Sequence, residues 1–190
     1  MERSREIVRL YDNLSQDFDE QQIVGTLRLG VVPTCLTGMM PPALASLRAA
    51  QQRLNIRVIS GPSADLADDV RKGRLDAAMV SEPMELATGL VWRPVAYEPL
   101  MVIAPKDAVG KTDRELLETL PYIRFQKRAW AGQMIDLHLR ERSIRVLPGM
   151  EIDSLEAIAE LVAHGLGVSV VPKRHLASDF PPSVRSLPFG

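Results

Sequence analysis

Gly25-Thr-Leu-Arg-Leu-Gly30 opens a stretch that continues through Asn55-Ile-Arg-Val-Ile-Ser60 and Gly61-Pro-Ser-Ala-Asp-Leu66 to Gly73-Arg-Leu-Asp-Ala-Ala-Met-Val80. Three short apolar runs alternate with longer segments of helical period, which is a β-α-β-α-β pattern. Leu27 to Val32 reads as the first strand. Pro33 stops it and leaves Thr34 and Cys35 in a loop. A helix follows from near Gly38 to Arg53, with Pro41 and Pro42 in its first turn, where a missing N–H costs little. Asn55 to Ser60 is the second strand. Ser63 suits the N-cap of the next helix, Asp65 its first turn, and Leu66 and Val70 its buried side. Gly73 takes the C′ position. Leu75 to Val80 is apolar enough for the interior of a sheet. Strands joined this way run parallel, and such a sheet binds small molecules at the carboxyl ends of its strands.

The rest of the chain extends the pattern. Val91 to Ala96 and Leu100 to Ala104 read as extended, punctuated by Pro94, Pro99 and Pro105. Residues 105–110 read as a loop crossing between two lobes. Thr112 and Glu115 have capping-box spacing and open a helix that Pro121 ends. Tyr122 to Phe125 is a short strand, and residues 126–130 a polar loop containing Trp130. A helix then runs to about Arg142. After extended residues 145–152, Asp153 and Glu156 have the same capping-box spacing, and Leu155, Ile158, Ala159 and Val162 form the buried face of another helix. Val168 to Val171 is a strand, and Val184 to Leu187 is expected to cross back to the first lobe. Upstream, residues 2–20 read as a helix whose apolar stripe is Ile7, Tyr11, Leu14 and Phe18. The stripe spans only about two heptads, so pattern alone does not decide between packing on its own domain and pairing with a partner.

Bulk properties narrow the function. No apolar run is long enough to span a membrane, and the charged start lacks the apolar core of a secretory signal. A single cysteine excludes an internal disulfide and suits a reducing cytoplasm. The net charge of −1 carries no footprint for nucleic acid.

The motifs Gly25-Thr-Leu-Arg-Leu-Gly30, Gly61-Pro-Ser-Ala-Asp-Leu66, Gly73-Arg-Leu-Asp-Ala-Ala78, Glu98-Pro-Leu-Met-Val-Ile-Ala-Pro105 and Leu161-Val-Ala-His-Gly-Leu-Gly-Val-Ser-Val-Val-Pro172, in that order, resemble the effector-binding domain of LysR-type transcriptional regulators. The resemblance implies an α/β fold of two lobes like the type 2 periplasmic binding proteins, each a mainly parallel sheet flanked by helices. Residues 1–24 would be the end of a linker helix that pairs with a partner subunit, 25–104 the first lobe with a return at about 175–190, and 105–174 the second lobe. It also implies a small, anionic effector in the interlobe cleft, a homodimer or homotetramer in a bacterial cytoplasm, and promoter DNA reached only through a helix-turn-helix domain that this chain does not contain. The sequence departs from the family's pattern in reaching Gly190 before the terminal strand and helix usual in the first lobe.

Residues that could carry binding follow from these positions. Thr34 and Ser63 sit where helix N-terminal N–H groups point toward an anion; in the family such loops hydrogen-bond the effector. The plain alternative for Ser63 is an N-cap. Cys35 lies beside Thr34, with an inert apolar role as its alternative. In the second lobe Phe125 could pack against an effector, Arg128 could pair with a carboxylate, and Trp130 could line the pocket or anchor its helix. Core packing is the alternative for Phe125 and a solvated charge for Arg128. His138, His164 and His175 lack metal-ligand spacing, Asp76 and Glu82 lack that of a catalytic pair, and no nucleophile elbow, P-loop or zincin motif occurs. No cofactor, metal site or enzymatic role is expected. The competing readings are a solute-binding protein of a transporter and an enzyme with Cys35 as nucleophile.

Overall fold

A computed structural model describes residues 23–173 and 180–190. The linker-helix stripe of Ile7, Tyr11, Leu14 and Phe18 lies outside the described residues, as does His175.

The first sheet forms as the alternating segments predict. Strands β1 (Gly25–Val31), β2 (Leu54–Ser60) and β3 (Ala77–Met79) are parallel, in the order β2-β1-β3. Between β1 and β2 the chain makes a one-turn helix α1 (Pro33–Leu36) and then α2 (Met40–Ala50); between β2 and β3 lies α3 (Ser63–Arg71). The first crossover steps from β1 to β2 and the second steps back past β1 to β3, so right-handed connections place α2 and α3 on opposite faces. Leu66 on α3 and Leu75 close over β1 at Gly30. A Cβ at Gly30 would meet Leu75 Cδ1 at 2.7 Å and Leu66 Cδ2 at 2.9 Å, so this position has room only for hydrogen. Val32, Leu66 and Leu75 make a small buried core with Cys35, Val70, Ala78 and Val80 around it.

Three local expectations need correction. The helix expected from Gly38 to Arg53 forms as α2 over Met40–Ala50, and Thr34 and Cys35, expected in a loop, lie in the short helix α1 before it. Pro33 does not only stop β1: its fixed φ suits the first helical position and starts that turn. Pro62, not Ser63, occupies the N-cap of α3. Residues 91–96 form no strand; Pro94 removes one ladder donor there, and Val91 and Val95 are exposed.

Among the described residues two further sheets follow, one of three antiparallel strands and one of two parallel strands. β4 (Leu100–Pro105) runs antiparallel to both β7 (Ser169–Pro172) and β8 (Val184–Pro188). β5 (Arg124–Phe125) pairs in parallel with β6 (Glu151–Ile152). Hydrogen bonds from Ile123 N to Val168 O and from Val168 N to Pro121 O tie the β5 segment to β7. Helices α4 (Asp113–Thr119), α5 (Trp130–Glu141) and α6 (Leu155–Ala163) cover these sheets. The capping box holds at Thr112, whose hydroxyl accepts from Glu115 N. At α6 the cap is Ser154, one residue after the expected Asp153, and its hydroxyl accepts from Ala157 N. Leu155, Ile158, Ala159 and Val162 are buried as the period predicts.

Val102, Ile103 and Ala104 are fully buried in this second core. β8, expected to cross back to the first lobe, pairs with β4. A crossing strand can belong to either lobe by sequence; only its partners decide.

Candidate functional site

The crossover direction reverses at β1, with β2 on one side and β3 on the other, and open α/β sheets bind ligands beyond the carboxyl ends of the strands at such a point. Thr34 and Cys35 sit there on α1, directly after β1. Val32 N donates to Met79 O at 3.1 Å, which holds the end of β1 against β3. α3 crosses over β1 and delivers Ser63 to the same edge. Ser63 is buried, 5% exposed, and its hydroxyl accepts from Ser81 N at 3.3 Å. That bond ties the loop after β3 to the start of α3. Ser63 thus works across strands instead of capping its own helix, and its hydroxyl proton remains available to donate.

Cys35 is half-buried. Burial pushes its thiol pKa up, the negative charge of Glu98 pushes the same way, and a hydrogen bond with Thr34 opposes them. The thiol is therefore held protonated, the opposite of what a nucleophile needs. These causes also place Glu98, at the end of the 80–99 connection, beside the Thr34–Cys35 turn.

The second-lobe residues divide. Phe125 is 5% exposed and packs in the second core, so its ring has no free face for an effector. A two-residue strand shows no alternation from which its face could have been read. Arg124 pairs with Asp136 of α5. Arg128 is exposed, with no hydrogen bond or ion pair among the described residues. Trp130 opens α5 and lies 6.1 Å, centroid to centroid, from Trp92 of the 80–99 connection, with the rings tilted by 50°. The Trp92 contact was not legible in the sequence, because Trp92 falls in a segment without periodicity. Trp92 and Trp130 are the chain's two tryptophans.

A further contact joins the lobes. Thr37, in the turn after α1, donates from its hydroxyl to Glu156 Oε1 in the first turn of α6 at 3.0 Å. The other Glu156 oxygen accepts from Ser154 Oγ at 3.0 Å. Two surface cavities lie elsewhere on the second lobe. One, of about 660 Å³, is lined by Lys106, Asp107, His164 and Ser183 among others. The other, of about 310 Å³, runs from Tyr122 and Arg124 to Glu151. Neither includes Thr34, Cys35, Ser63, Arg128 or Trp130; both follow loop edges, and the strand-end geometry is the better guide to the site. Among the described residues no cluster of His, Cys, Asp or Glu could hold a metal, and no helix is long and apolar enough to cross a membrane.

The family model of the LysR substrate binding domain matches residues 20–189. The chain belongs to the LysR substrate-binding domain family. Among curated LysR relatives, a probable hydrogen peroxide-inducible genes activator of Streptomyces viridosporus is 27% identical over 177 residues, covering 90% of this chain and 56% of that protein. The chain thus spans about half the length of the curated relatives it matches. Solved LysR-type domains share the fold. The regulatory domain of CcmR from Synechocystis PCC6803, in complex with 2-PG, superposes with a TM-score of 0.73 at 23% identity, covering 86% of this chain and 80% of that one. The effector-binding domain of QuiR in complex with shikimate gives 0.71 at 18%, covering 88% and 82%. The two-lobed α/β architecture expected from the sequence is thereby established.

Proposed function

We propose that this chain is the ligand-sensing part of a bacterial LysR-type transcription regulator, and that a small anionic effector binds between its lobes. The family match over residues 20–189 carries the reading. Effector complexes of the CcmR and QuiR domains, which share this fold, support a small-molecule ligand. Thr34 and Ser63 are the proposed contacts on the first lobe, with Cys35 as a neutral wall beside them. Arg128 and Trp130 are the proposed contacts on the second, and Phe125 serves the core. The proposed lobe division is residues 25–99 and 100–190, with residues 1–24 as a linker helix pairing subunits in a homodimer or homotetramer. Promoter DNA is reached through a helix-turn-helix domain of the longer protein, in the cytoplasm.

The effector shifts the equilibrium between interlobe angles only by its difference in affinity for them. No catalytic step is assigned: the protonated Cys35 thiol supports binding rather than nucleophilic attack. Neither the family nor the similar proteins support a transporter's solute-binding role. The test is gel-shift binding of the full-length gene product to the DNA upstream of its own gene, with and without candidate effectors. Specific, effector-sensitive binding is expected; absence of specific binding contradicts the regulator reading.

A further inference from the structure

We propose that the hydroxyl of Thr37 is a two-position latch that couples the effector site to closure of the cleft. This rests on the two-lobed sensor reading and adds the device that links binding to lobe angle. Thr37 and Glu156 are 119 residues apart in the chain, and their hydrogen bond joins the turn after α1 to the start of α6. A threonine hydroxyl has one proton to donate, and among the described residues two acceptors stand within reach. One is Glu156 Oε1 across the cleft at 3.0 Å; the other is Thr34 O within its own turn at 3.4 Å. The carboxylate bond is shorter and charge-assisted, so it takes the proton in this arrangement.

Both ends of the latch are held in place. Ser154 caps α6 through Ala157 N and at the same time donates to Glu156 Oε2, which fixes the carboxylate's direction. Thr37 closes the helical turn that carries Thr34, a proposed effector contact. Movement of that turn on effector binding changes the distance from Thr37 to each acceptor. Breaking the interlobe bond leaves the proton a local partner at Thr34 O, so the exposed hydroxyl has a partner in either arrangement. An element with two satisfied arrangements is the kind that a ligand can bias. A single exposed bond to a carboxylate changes the closed-to-open ratio about fivefold, ~1 kcal/mol.

The experiment uses the chain without any effector, so its failure removes the latch and leaves effector binding to its own test. Both tryptophans lie in the Trp92–Trp130 contact, so intrinsic emission reports on that contact, and small-angle scattering reports on lobe separation. Thr37→Val removes the hydroxyl with little change of shape; Glu156→Ala removes the acceptor; Glu156→Gln retains one. The expected result is the same red shift of emission and rise in radius of gyration in Thr37→Val and Glu156→Ala, no further change in the double variant, and near-parental values in Glu156→Gln. A Thr37→Val chain with parental emission and radius overturns the proposal, as do changes that add in the double variant. If Glu156→Ala perturbs α6 itself, the Thr37→Val result decides.

Discussion

Gly132, in the first turn of α5, is buried where the helix meets the end of β5. A Cβ built there stands 2.2 Å from the carbonyl oxygen of Gln126 and 3.1 Å from that of Phe125. Ordinary non-bonded contact lies near 3.5 Å, so the deficit is roughly 1 Å. Neither partner yields easily. Gln126 N donates to Ile152 O at 3.0 Å and Gln126 O accepts from Ala129 N at 3.1 Å. On the helix side Ile135 and Leu139 are locked in the second core at 1% and 4% exposure. Overpacking of this kind costs about 1–3 kcal/mol, and contact with backbone places it near 3. Alanine's better helix propensity returns ~1 kcal/mol. Gly132→Ala should therefore destabilise the chain by about 2 kcal/mol. For a domain of this size that lowers Tm by roughly 4–8 °C. Thermal unfolding followed by circular dichroism reads it, with exposed Gln133→Ala as control, expected within about 0.5 kcal/mol of the parent. An unchanged or raised Tm in Gly132→Ala would refute the close helix–strand approach that positions Trp130.

Two further predictions concern titration. Burial pushes the Tyr122 phenol up to about 12, against the opposing pull of Arg124, and its hydroxyl has no partner among the described residues. The native state then keeps a proton that the unfolded state loses from about pH 10, so stability is constant below ~10 and falls up to ~12, by about 3 kcal/mol in all. Tyr122→Phe should remove that slope in urea titrations and leave neutral-pH stability unchanged or slightly higher; a persisting slope contradicts the burial. At Asp113, burial raises the carboxyl pKa but is outweighed by hydrogen bonds from Arg142, Arg114 N and Gly190 N, so the net shift is downward. Its contribution is present above the unfolded value near 3.9 and is lost as pH falls through the lower folded value. Asp113→Asn should cost about 1–2 kcal/mol at pH 7, a gap that closes in acid; a gap that persists at pH 2 contradicts the assignment.

The sheet at the start of the chain was legible because each cue is local. Apolar period, Pro41 and Pro42 in a first turn, and Gly73 with φ of +69° after α3 are all read within a few residues. The site was legible only to the level of strand ends. Thr34 and Ser63 reach one edge because β1 and β2 are adjacent and parallel, which topology predicts. That Ser63 serves Ser81 rather than its own helix depends on α3 crossing over β1, a tertiary relation. Core packing and effector contact both stayed open for Phe125 because a two-residue strand shows no face; its burial in the second core is a tertiary relation. Glu156 was visible as a first-turn acid of α6, but its partner Thr37 lies in the other lobe. The partners of β4 were not legible for a similar reason: its apolar sequence suits any buried strand, and its pairing with β7 and β8 is a tertiary relation.

The central claim is that a small molecule binds at the carboxyl edge of the first sheet, between the lobes. It is tested most directly by thermal unfolding of this chain against organic acids, aromatic acids, amino acids and sugar phosphates. A ligand at ~100 times its Kd that binds only the folded state adds about 2.7 kcal/mol. The account predicts at least one stabilising compound, with the stabilisation lost in Thr34→Ala or Ser63→Ala and kept in the Gln133→Ala control. A well-folded chain that no compound stabilises, or a stabilisation that survives both substitutions, would contradict it.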